Sequence, residues 1–175
     1  IPEIAKKASH VTMIQRSPTY IASAPSKYKI LHLLNYISPK LGYKIIRFTN
    51  ILRQRRIYRR AMRSPELVKN YLLDLVRDEL PGFDIEKHFT PTYNPWEQRL
   101  CLAPDSDFFE SINQKRVSVE TETIDSFSEK GVQLDSGKLI EADIIITATG
   151  IKLQNFGGIR IFVDENEIDI SKSFI

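Results

Sequence analysis

The residues with the clearest chemical potential lie in one short segment, from Asp143 to Gly150. Ile144 to Thr147 have high β-propensity without polar alternation, a pattern typical of a strand covered on both faces in the middle of a parallel sheet. Ala148, Thr149 and Gly150 then leave little side-chain bulk where that strand would end. Open α/β sheets bind nucleotides at the carboxyl ends of their strands, so the backbone there could approach a pyrophosphate or a flavin closely. A core strand followed by an ordinary glycine turn explains the same residues equally well.

Metal and thiol chemistry find no support in the sequence. His10, His32 and His88 are scattered without the spacing of metal ligands, so no metal site is predicted. Cys101 is the only cysteine, which excludes an internal disulfide, a thiolate metal cage and a redox-active cysteine pair. We expect it to be a small, half-buried core residue.

Composition predicts a soluble globular chain of about one domain, because 42% of its 175 residues are hydrophobic and can build a core. No apolar run is long enough to cross a bilayer and no leader peptide is recognisable, so a cytoplasmic location is expected. The net charge of +3 is unevenly placed, since six arginines crowd into eleven residues. They form either a solvated helix face or a surface that faces anions, and they are Arg53, Arg55, Arg56, Arg59, Arg60 and Arg63.

The chain begins like the later part of a βαβ unit. Residues 2–8 indicate the last turns of a helix, and residues 11–16 indicate a strand that ends at Ser17-Pro18. Helical patterning then runs from about residue 26 to residue 80. An opening helix is expected near residues 27–36.

Two further helix starts are predicted at Ser38-Pro39 and Ser64-Pro65, where a capping hydroxyl precedes a proline at the first helical position. We expect the first half of the helix after Ser38 to be packed and its arginine-rich second half to project outward. The apolar residues of that first half are Leu41, Ile45, Phe48 and Leu52. The helix after Ser64 is expected to bury one face, made of Leu67, Val68, Tyr71, Leu72, Leu75 and Val76.

The rest of the chain is predicted to be mainly short strands. Residues 81–99 are predicted to form an irregular loop rich in proline and aromatic residues, and residues 107–114 are predicted to form a short helix. A β-meander is expected over residues 117–121, 123–127, 132–134 and 138–140, with a tight turn at residues 135–137. A final hairpin is expected from residues 159–163 and 167–170. The fold class is therefore α/β.

Three segments, in this order and with these separations, resemble the flavin-dependent monooxygenases of the Baeyer-Villiger type, most closely the ethionamide-activating subgroup. They are Val11 to Tyr20, His88 to Pro91 together with Tyr93 to Cys101, and Asp143 to Gly150. The likeness covers nearly the whole chain.

The resemblance implies an enzyme that uses both FAD and NADPH. NADPH would reduce FAD, reduced FAD would trap O2 as a C4a-peroxide, and the peroxide would attack a ketone carbonyl or a sulfur. Residues 1–150 would form the later part of a Rossmann-like NADPH-binding domain, interrupted by the helical insertion at about residues 26–80. Residues 151–175 would begin the segment that returns to the FAD domain.

The resemblance also implies roles for individual residues. Arg16 would read the 2′-phosphate of NADPH with Ser17 beside it, and Arg99 would be the active-site arginine near the flavin. Gln98 stands where many relatives have a lysine that assists with the 2′-phosphate, so a weaker preference for NADPH is expected. Thr149 and Gly150, with Ala148 before them, would approach FAD.

The glycine fingerprints that hold dinucleotide pyrophosphates are absent from these residues, and they are expected upstream of Ile1. We therefore expect the isolated chain to bind both cofactors poorly, to be inactive, and to self-associate through surfaces that other domains would cover. Two alternatives stay open: another flavoprotein that binds two dinucleotides, or a basic-helix module for nucleic acid or an acidic membrane surface.

Overall fold

A computed structural model describes residues 1–27, 38–150, 157 and 159–168. The chain divides into two compact units, residues 1–142 and residues 143–175. The opening helix expected near residues 27–36 lies almost entirely outside the described residues. Within the described ranges, no helix is both long and apolar enough to cross a membrane.

The described helices and strands follow one another in mixed order. They are α1 (Pro2–Ala5), β1 (Val11–Gln15), β2 (Tyr20–Ala24), α2 (Pro39–Arg63), α3 (Pro65–Glu79), α4 (Ile85–Phe89), β3 (Leu100–Pro104), α5 (Asp107–Asn113), β4 (Val117–Thr121), β5 (Ile124–Ser128), β6 (Gly131–Leu134), β7 (Leu139–Glu141), β8 (Ile161–Val163) and β9 (Asn166–Ile168).

Two pairs of parallel strands organise the first unit. β1 pairs with β4 in the register Val11 to Val117, and β2 pairs with β3 in the register Tyr20 to Leu100. Parallel pairing brings the carboxyl ends of β1 and β4 to the same edge. The prediction of β1 and β4 is confirmed, whereas β2, β3 and the short helix α4 were not predicted.

Both proline-marked helix starts are confirmed. Pro39 begins α2 after Ser38, whose hydroxyl accepts a hydrogen bond from the Leu41 backbone N–H at 3.4 Å. Pro65 begins α3, and Ser64 is the single residue between it and the end of α2 at Arg63. Proline suits this position because its missing N–H would have no partner inside the helix.

The buried face of α3 is shifted from the predicted one. Val68, Leu72 and Val76 are buried as expected, and Leu73 joins them. Leu67 and Tyr71 were expected to be buried, but both are exposed. Because Leu73 and the following Leu80 extend the buried stripe on one side, the helix turns Leu67 and Tyr71 away from the core.

The prediction for the first half of α2 is wrong, whereas the arginines of its second half are exposed as expected. Leu41, Ile45 and Phe48 in the first half are exposed, with Phe48 62% accessible to solvent. In the second half, Ala61 is completely buried in a cluster with Tyr20, Ala22, Val68 and Leu72. A small side chain allows the helix backbone to approach its neighbours closely, and residue spacing alone did not reveal that contact.

The last three strands of the predicted meander are confirmed as the antiparallel sheet β5-β6-β7, whereas its first strand, β4, pairs with β1 in parallel instead. The tight turn is also confirmed, since the Leu134 N–H donates to the Lys138 carbonyl and the Gly137 N–H donates to the Leu134 carbonyl, both at 2.9 Å. Gly131 begins β6 with φ +147°, and a Cβ there would lie 2.0 Å from the Ile140 carbonyl oxygen. Only glycine fits this close approach between neighbouring strands.

Replacing Gly131 with alanine is expected to lower the free energy of unfolding by about 1–3 kcal/mol, because strand β7 must move away from the new methyl group. Gly82→Ala is the matched control. Gly82 also has positive φ, +79°, but no atom lies within 4 Å of its Cβ position. Denaturant unfolding measures the free energy of unfolding of both variants. The extra loss in Gly131→Ala is the effect of the steric clash, because both variants carry the strain of a positive φ. Equal losses in the two variants would contradict the steric explanation.

In the second unit, the strand predicted over residues 143–150 is not formed. These residues have no regular secondary structure, and Ile144 is 79% exposed. High β-propensity makes a strand only where a neighbouring strand supplies hydrogen-bond partners, and none of the described strands pairs with this segment. The predicted hairpin is confirmed in β8 and β9, with Asp164 and Glu165 at positive φ in the turn.

Candidate functional site

The carboxyl end of β1 is fastened to its neighbours by a small polar network. The Gln15 side-chain amide donates to the Thr121 hydroxyl at 2.8 Å and to the His88 carbonyl at 2.7 Å. His88 Nδ1 lies 2.8 Å from the same Thr121 hydroxyl. Arg16 and Ser17 follow directly and are exposed. The network therefore fixes the backbone from which both candidate phosphate-binding side chains extend.

Arg99 is held in place through both its backbone and its side chain. Its carbonyl accepts hydrogen bonds from the Thr19 hydroxyl at 3.0 Å and from the Tyr93 hydroxyl at 2.7 Å. Its Nε donates to the Thr19 hydroxyl at 3.3 Å. The residue as a whole remains exposed. A cation anchored in this way can face an anion without losing its position.

Thr19 connects the two candidate arginines. Arg16 precedes Thr19 by three residues, so even a fully extended backbone separates their Cα atoms by only about 11 Å. Thr19 in turn bonds both the carbonyl and the side chain of Arg99. The structure thus brings Arg16, Ser17 and Arg99 to one region of the first unit, with the exposed Gln98 preceding Arg99.

The loop that leads into Arg99 is an ordered turn. The Asn94 backbone N–H and side-chain amide each donate to the Glu97 carboxylate at 2.8 Å, and these bonds lower the pKa of Glu97. Trp96 between them adopts φ +72°, a conformation that bulky side chains rarely take. The turn therefore depends on its side-chain bonds to keep this conformation.

Tyr20 anchors the beginning of that loop. Its buried hydroxyl donates to the Tyr93 carbonyl at 2.7 Å, and the two rings pack edge to face. Burial, reinforced by electrostatic repulsion from Tyr93, Glu66 and Glu97, raises the pKa of Tyr20 to about 12, so the hydroxyl stays protonated and can donate. Sequence reasoning missed Thr19, Tyr20 and Tyr93 as positioning residues. The sequence did show that these three residues carry hydroxyl groups and lie in or beside the segments predicted to be functional.

His88 gives the network a dependence on pH. Burial, together with the charge of Lys87, lowers the pKa of His88 below its usual 6.5. The unfolded chain therefore binds more protons than the folded chain just below pH 6.5, and the free energy of unfolding is expected to fall as pH decreases through that value. Urea unfolding between pH 5 and pH 7.5 measures the effect, which His88→Gln should reduce. The exposed His10→Gln serves as the control, and an equal reduction in that variant would contradict this role of His88.

The remaining candidates lie in the second unit. Ala148, Thr149 and Gly150 are exposed, and Gly150 adopts φ +103° with open space around its Cβ position. Such a backbone offers N–H groups without side-chain obstruction. Cys101 is half-buried, as expected. In the described parts of both units, no cluster of histidine, cysteine or carboxylate side chains could hold a metal ion.

Comparison with known proteins yields closely similar sequences, although no family model matches. The chain is 46% identical over 177 residues to a probable FAD-binding monooxygenase, AlmA, of Acinetobacter baylyi, covering 100% of the chain and 36% of that protein. It is 45% identical to the FAD-containing monooxygenase EthA of Mycobacterium tuberculosis, covering 98% of the chain and 36% of that protein. A putative FAD-containing monooxygenase of the same species, MymA, is 43% identical over 93% of the chain and 33% of its own length. The chain spans about a third of the length of these relatives.

Solved structures support the fold. FAD-bound OTEMO superimposes with a TM-score of 0.67 over 98% of this chain and 39% of its own, at 14% identity. OTEMO in complex with FAD and NADP gives a TM-score of 0.61 over 86% of this chain and 35% of its own. The α/β class is thereby confirmed.

The sequence likeness runs through the arginine-rich helix α2 as well as the candidate site, so a separate basic-helix module is not favoured as the function of the chain. The chain therefore belongs to the family of the FAD-containing monooxygenases, and it matches about a third of the length of these relatives.

Proposed function

We propose that the chain is part of an FAD- and NADPH-dependent monooxygenase that transfers one oxygen atom of O2 to a ketone or a sulfur compound. The observation that carries the proposal is the joint placement of Arg16 and Arg99 through Thr19. Arg16 lies at the carboxyl end of the parallel strand β1, and nucleotides bind at such strand ends. Arg99 is a fixed cation close to the same region.

The donors at the end of β1 suit a nucleotide phosphate. Arg16 offers several fixed N–H donors, and the Ser17 hydroxyl adds another. Both are exposed, and the polar network of Gln15, Thr121 and His88 sets their direction. We infer that this pair binds the 2′-phosphate of NADPH. Gln98 supplies hydrogen bonds but no charge where many relatives have a lysine, which makes Arg16 the main source of discrimination against NADH.

Arg99 would stabilise the negative charge that develops during oxygen transfer. When bound, FAD and NADPH supply the reducing electrons and the activation of O2. The protein contributes a guanidinium whose Nε donates to Thr19, on a backbone whose carbonyl accepts from Thr19 and Tyr93. A preorganised cation of this kind costs no reorganisation while the charge forms.

Ala148, Thr149 and Gly150 are proposed to approach FAD through their backbone. Their small side chains and the positive φ of Gly150 suit a close approach to a planar cofactor. The larger domain assignment follows the same proposal, with residues 1–150 as the later part of a Rossmann-like NADPH-binding domain and residues 151–175 as the start of a return to the FAD domain. A cytoplasmic location is proposed for the complete enzyme.

Purification of the complete protein with FAD, followed by incubation with NADPH, O2 and a panel of ketones, thioethers and amines, tests the function. Oxygenated ketone or thioether products, formed together with NADPH consumption, are expected. Hydroxylated amines alone would favour another flavoprotein that binds two dinucleotides. NADPH oxidation without any oxygenated product would contradict the proposal.

The isolated 175-residue chain provides a second test. It lacks the glycine turns that hold dinucleotide pyrophosphates, so we expect it to bind FAD and NADPH weakly and to be inactive. Absorbance spectra of the purified chain mixed with FAD and then desalted measure retention. One bound flavin per chain would contradict this expectation.

A further inference from the structure

Helix α2 carries an unusual concentration of one charge. Its 25 residues include nine cations and no acid. Arg55, Arg56 and Arg59 are exposed, and none of them takes part in an ion pair among the described residues. This helix therefore favours an anionic partner, because an anion offsets the repulsion between its neighbouring cations.

The same helix exposes large apolar side chains. Leu41, Ile45 and Phe48 follow the spacing of one helical face, and all are exposed together with Ile51. Solvated basic helices do not require such residues. Exposed apolar groups beside cations suit a membrane surface, where apolar side chains can enter among the acyl chains while cations stay at the lipid phosphates.

The order of the two features along α2 fits this geometry. The outward apolar side chains occupy the first half, and Arg55, Arg59 and Arg63 continue along the same side in the second half. Gly42 and Ala61 are the buried residues of α2, so the larger side chains along this side stay exposed in both halves. A second copy of this chain would present the same cations and be repelled, whereas nucleic acid would leave the apolar residues without a partner.

We propose that the exposed face of α2, defined by Leu41, Ile45, Phe48, Ile51, Arg55, Arg59 and Arg63, binds the surface of a membrane rich in anionic lipid. Binding of this kind is peripheral and reversible, and it weakens with salt because much of it is electrostatic. It would place the monooxygenase beside a source of apolar substrates.

The test uses the complete protein and sedimentation with vesicles of phosphatidylcholine and phosphatidylglycerol at 3:1, compared with pure phosphatidylcholine. Binding to the mixed vesicles only, falling with added NaCl, is expected. The triple variant Arg55→Gln, Arg59→Gln, Arg63→Gln should weaken binding about 100-fold. The double variant Ile45→Ser, Phe48→Ser should weaken it at least about tenfold at unchanged charge.

Matched controls test for non-specific effects. Lys7→Gln, Lys87→Gln, Lys130→Gln removes three exposed cations elsewhere, and Leu67→Ser, Tyr71→Ser removes two exposed apolar residues on α3. Both controls should bind as the unmodified protein does. All variants should keep the same unfolding temperature to within a few degrees, which shows that the fold is intact.

Several outcomes would overturn the proposal. They include absence of binding to the mixed vesicles, equal binding to pure phosphatidylcholine, and equal weakening by the control variants. Duplex DNA binding that is as tight as vesicle binding and insensitive to Ile45→Ser, Phe48→Ser would instead indicate a nucleic-acid surface. A Phe48→Cys variant that resists thiol labelling without lipid would show that the rest of the protein covers this face. Loss of a dimer in the double variant, seen by light scattering, would identify a contact between copies.

Discussion

Replacing Arg99 with alanine in the complete enzyme is expected to lower the rate of oxygenated product formation by about 10²–10³-fold. The guanidinium is the fixed positive charge next to which negative charge would develop, and alanine leaves that charge without a partner. NADPH consumption should fall less than product formation, because Arg99 is not proposed to bind the 2′-phosphate. Product yield per NADPH consumed, measured by chromatography and absorbance in the same sample, is therefore the decisive quantity.

Two further variants separate charge from position at Arg99. Arg99→Lys keeps the charge but loses the Nε donor to Thr19, so it should recover only part of the yield. Thr19→Val keeps Arg99 but removes the hydroxyl that bonds both its carbonyl and its Nε, and it should lower kcat more than it changes KM for NADPH. If Arg99→Ala retained full product yield per NADPH, Arg99 would have no catalytic role.

Replacing Arg16 with alanine is expected to raise KM for NADPH by about 10- to 100-fold while KM for NADH changes little. The physical reason is the loss of charge-assisted hydrogen bonds to a phosphate that NADH lacks. Steady-state kinetics with both nucleotides measure the ratio of the two kcat/KM values. Lys7→Ala removes an exposed cation elsewhere and should leave that ratio unchanged.

Gln98→Lys adds a cation near the proposed 2′-phosphate site, whereas Arg16→Ala removes one. The added positive charge lies next to Arg99, and it should increase the preference for NADPH over NADH. An Arg16→Ala variant with an unchanged nucleotide ratio would contradict the role of Arg16. An unchanged ratio in Gln98→Lys alone would show only that residue 98 lies too far from the phosphate to contribute.

Local signals in the sequence were sufficient for much of the fold. Ser38-Pro39 and Ser64-Pro65 predicted helix starts because the missing proline N–H acts locally, although only Ser38 makes the capping hydrogen bond with its side chain. The meander and its glycine turn were likewise predicted from neighbouring residues. The strands β2 and β3 were missed because each is short and becomes a strand only through pairing with the other.

Packing was less predictable because it depends on residues far away in the sequence. Ala61, in the second half of α2, is buried in the core, although the apolar pattern favoured the larger side chains of the first half. The isoleucines after Asp143 had the composition of a buried strand, yet strand formation needs a partner that their own sequence does not encode. At the candidate site, the motifs indicated Arg16 and Arg99. The roles of the Thr19 and Tyr93 hydroxyls were not predicted, because their hydrogen bonds to the Arg99 carbonyl depend on the fold.

The parallel strand pairs have a consequence for synthesis on the ribosome. Tyr20 aligns with Leu100 and Val11 aligns with Val117, so each early strand lacks its partner until most of the first unit has been translated. At about 5–20 residues per second, β1 and β2 wait from a few seconds to about 20 seconds with unpaired edges. The helices α2 and α3 form from local contacts in that interval, and they are available to shield the nascent strand β2 before β3 emerges.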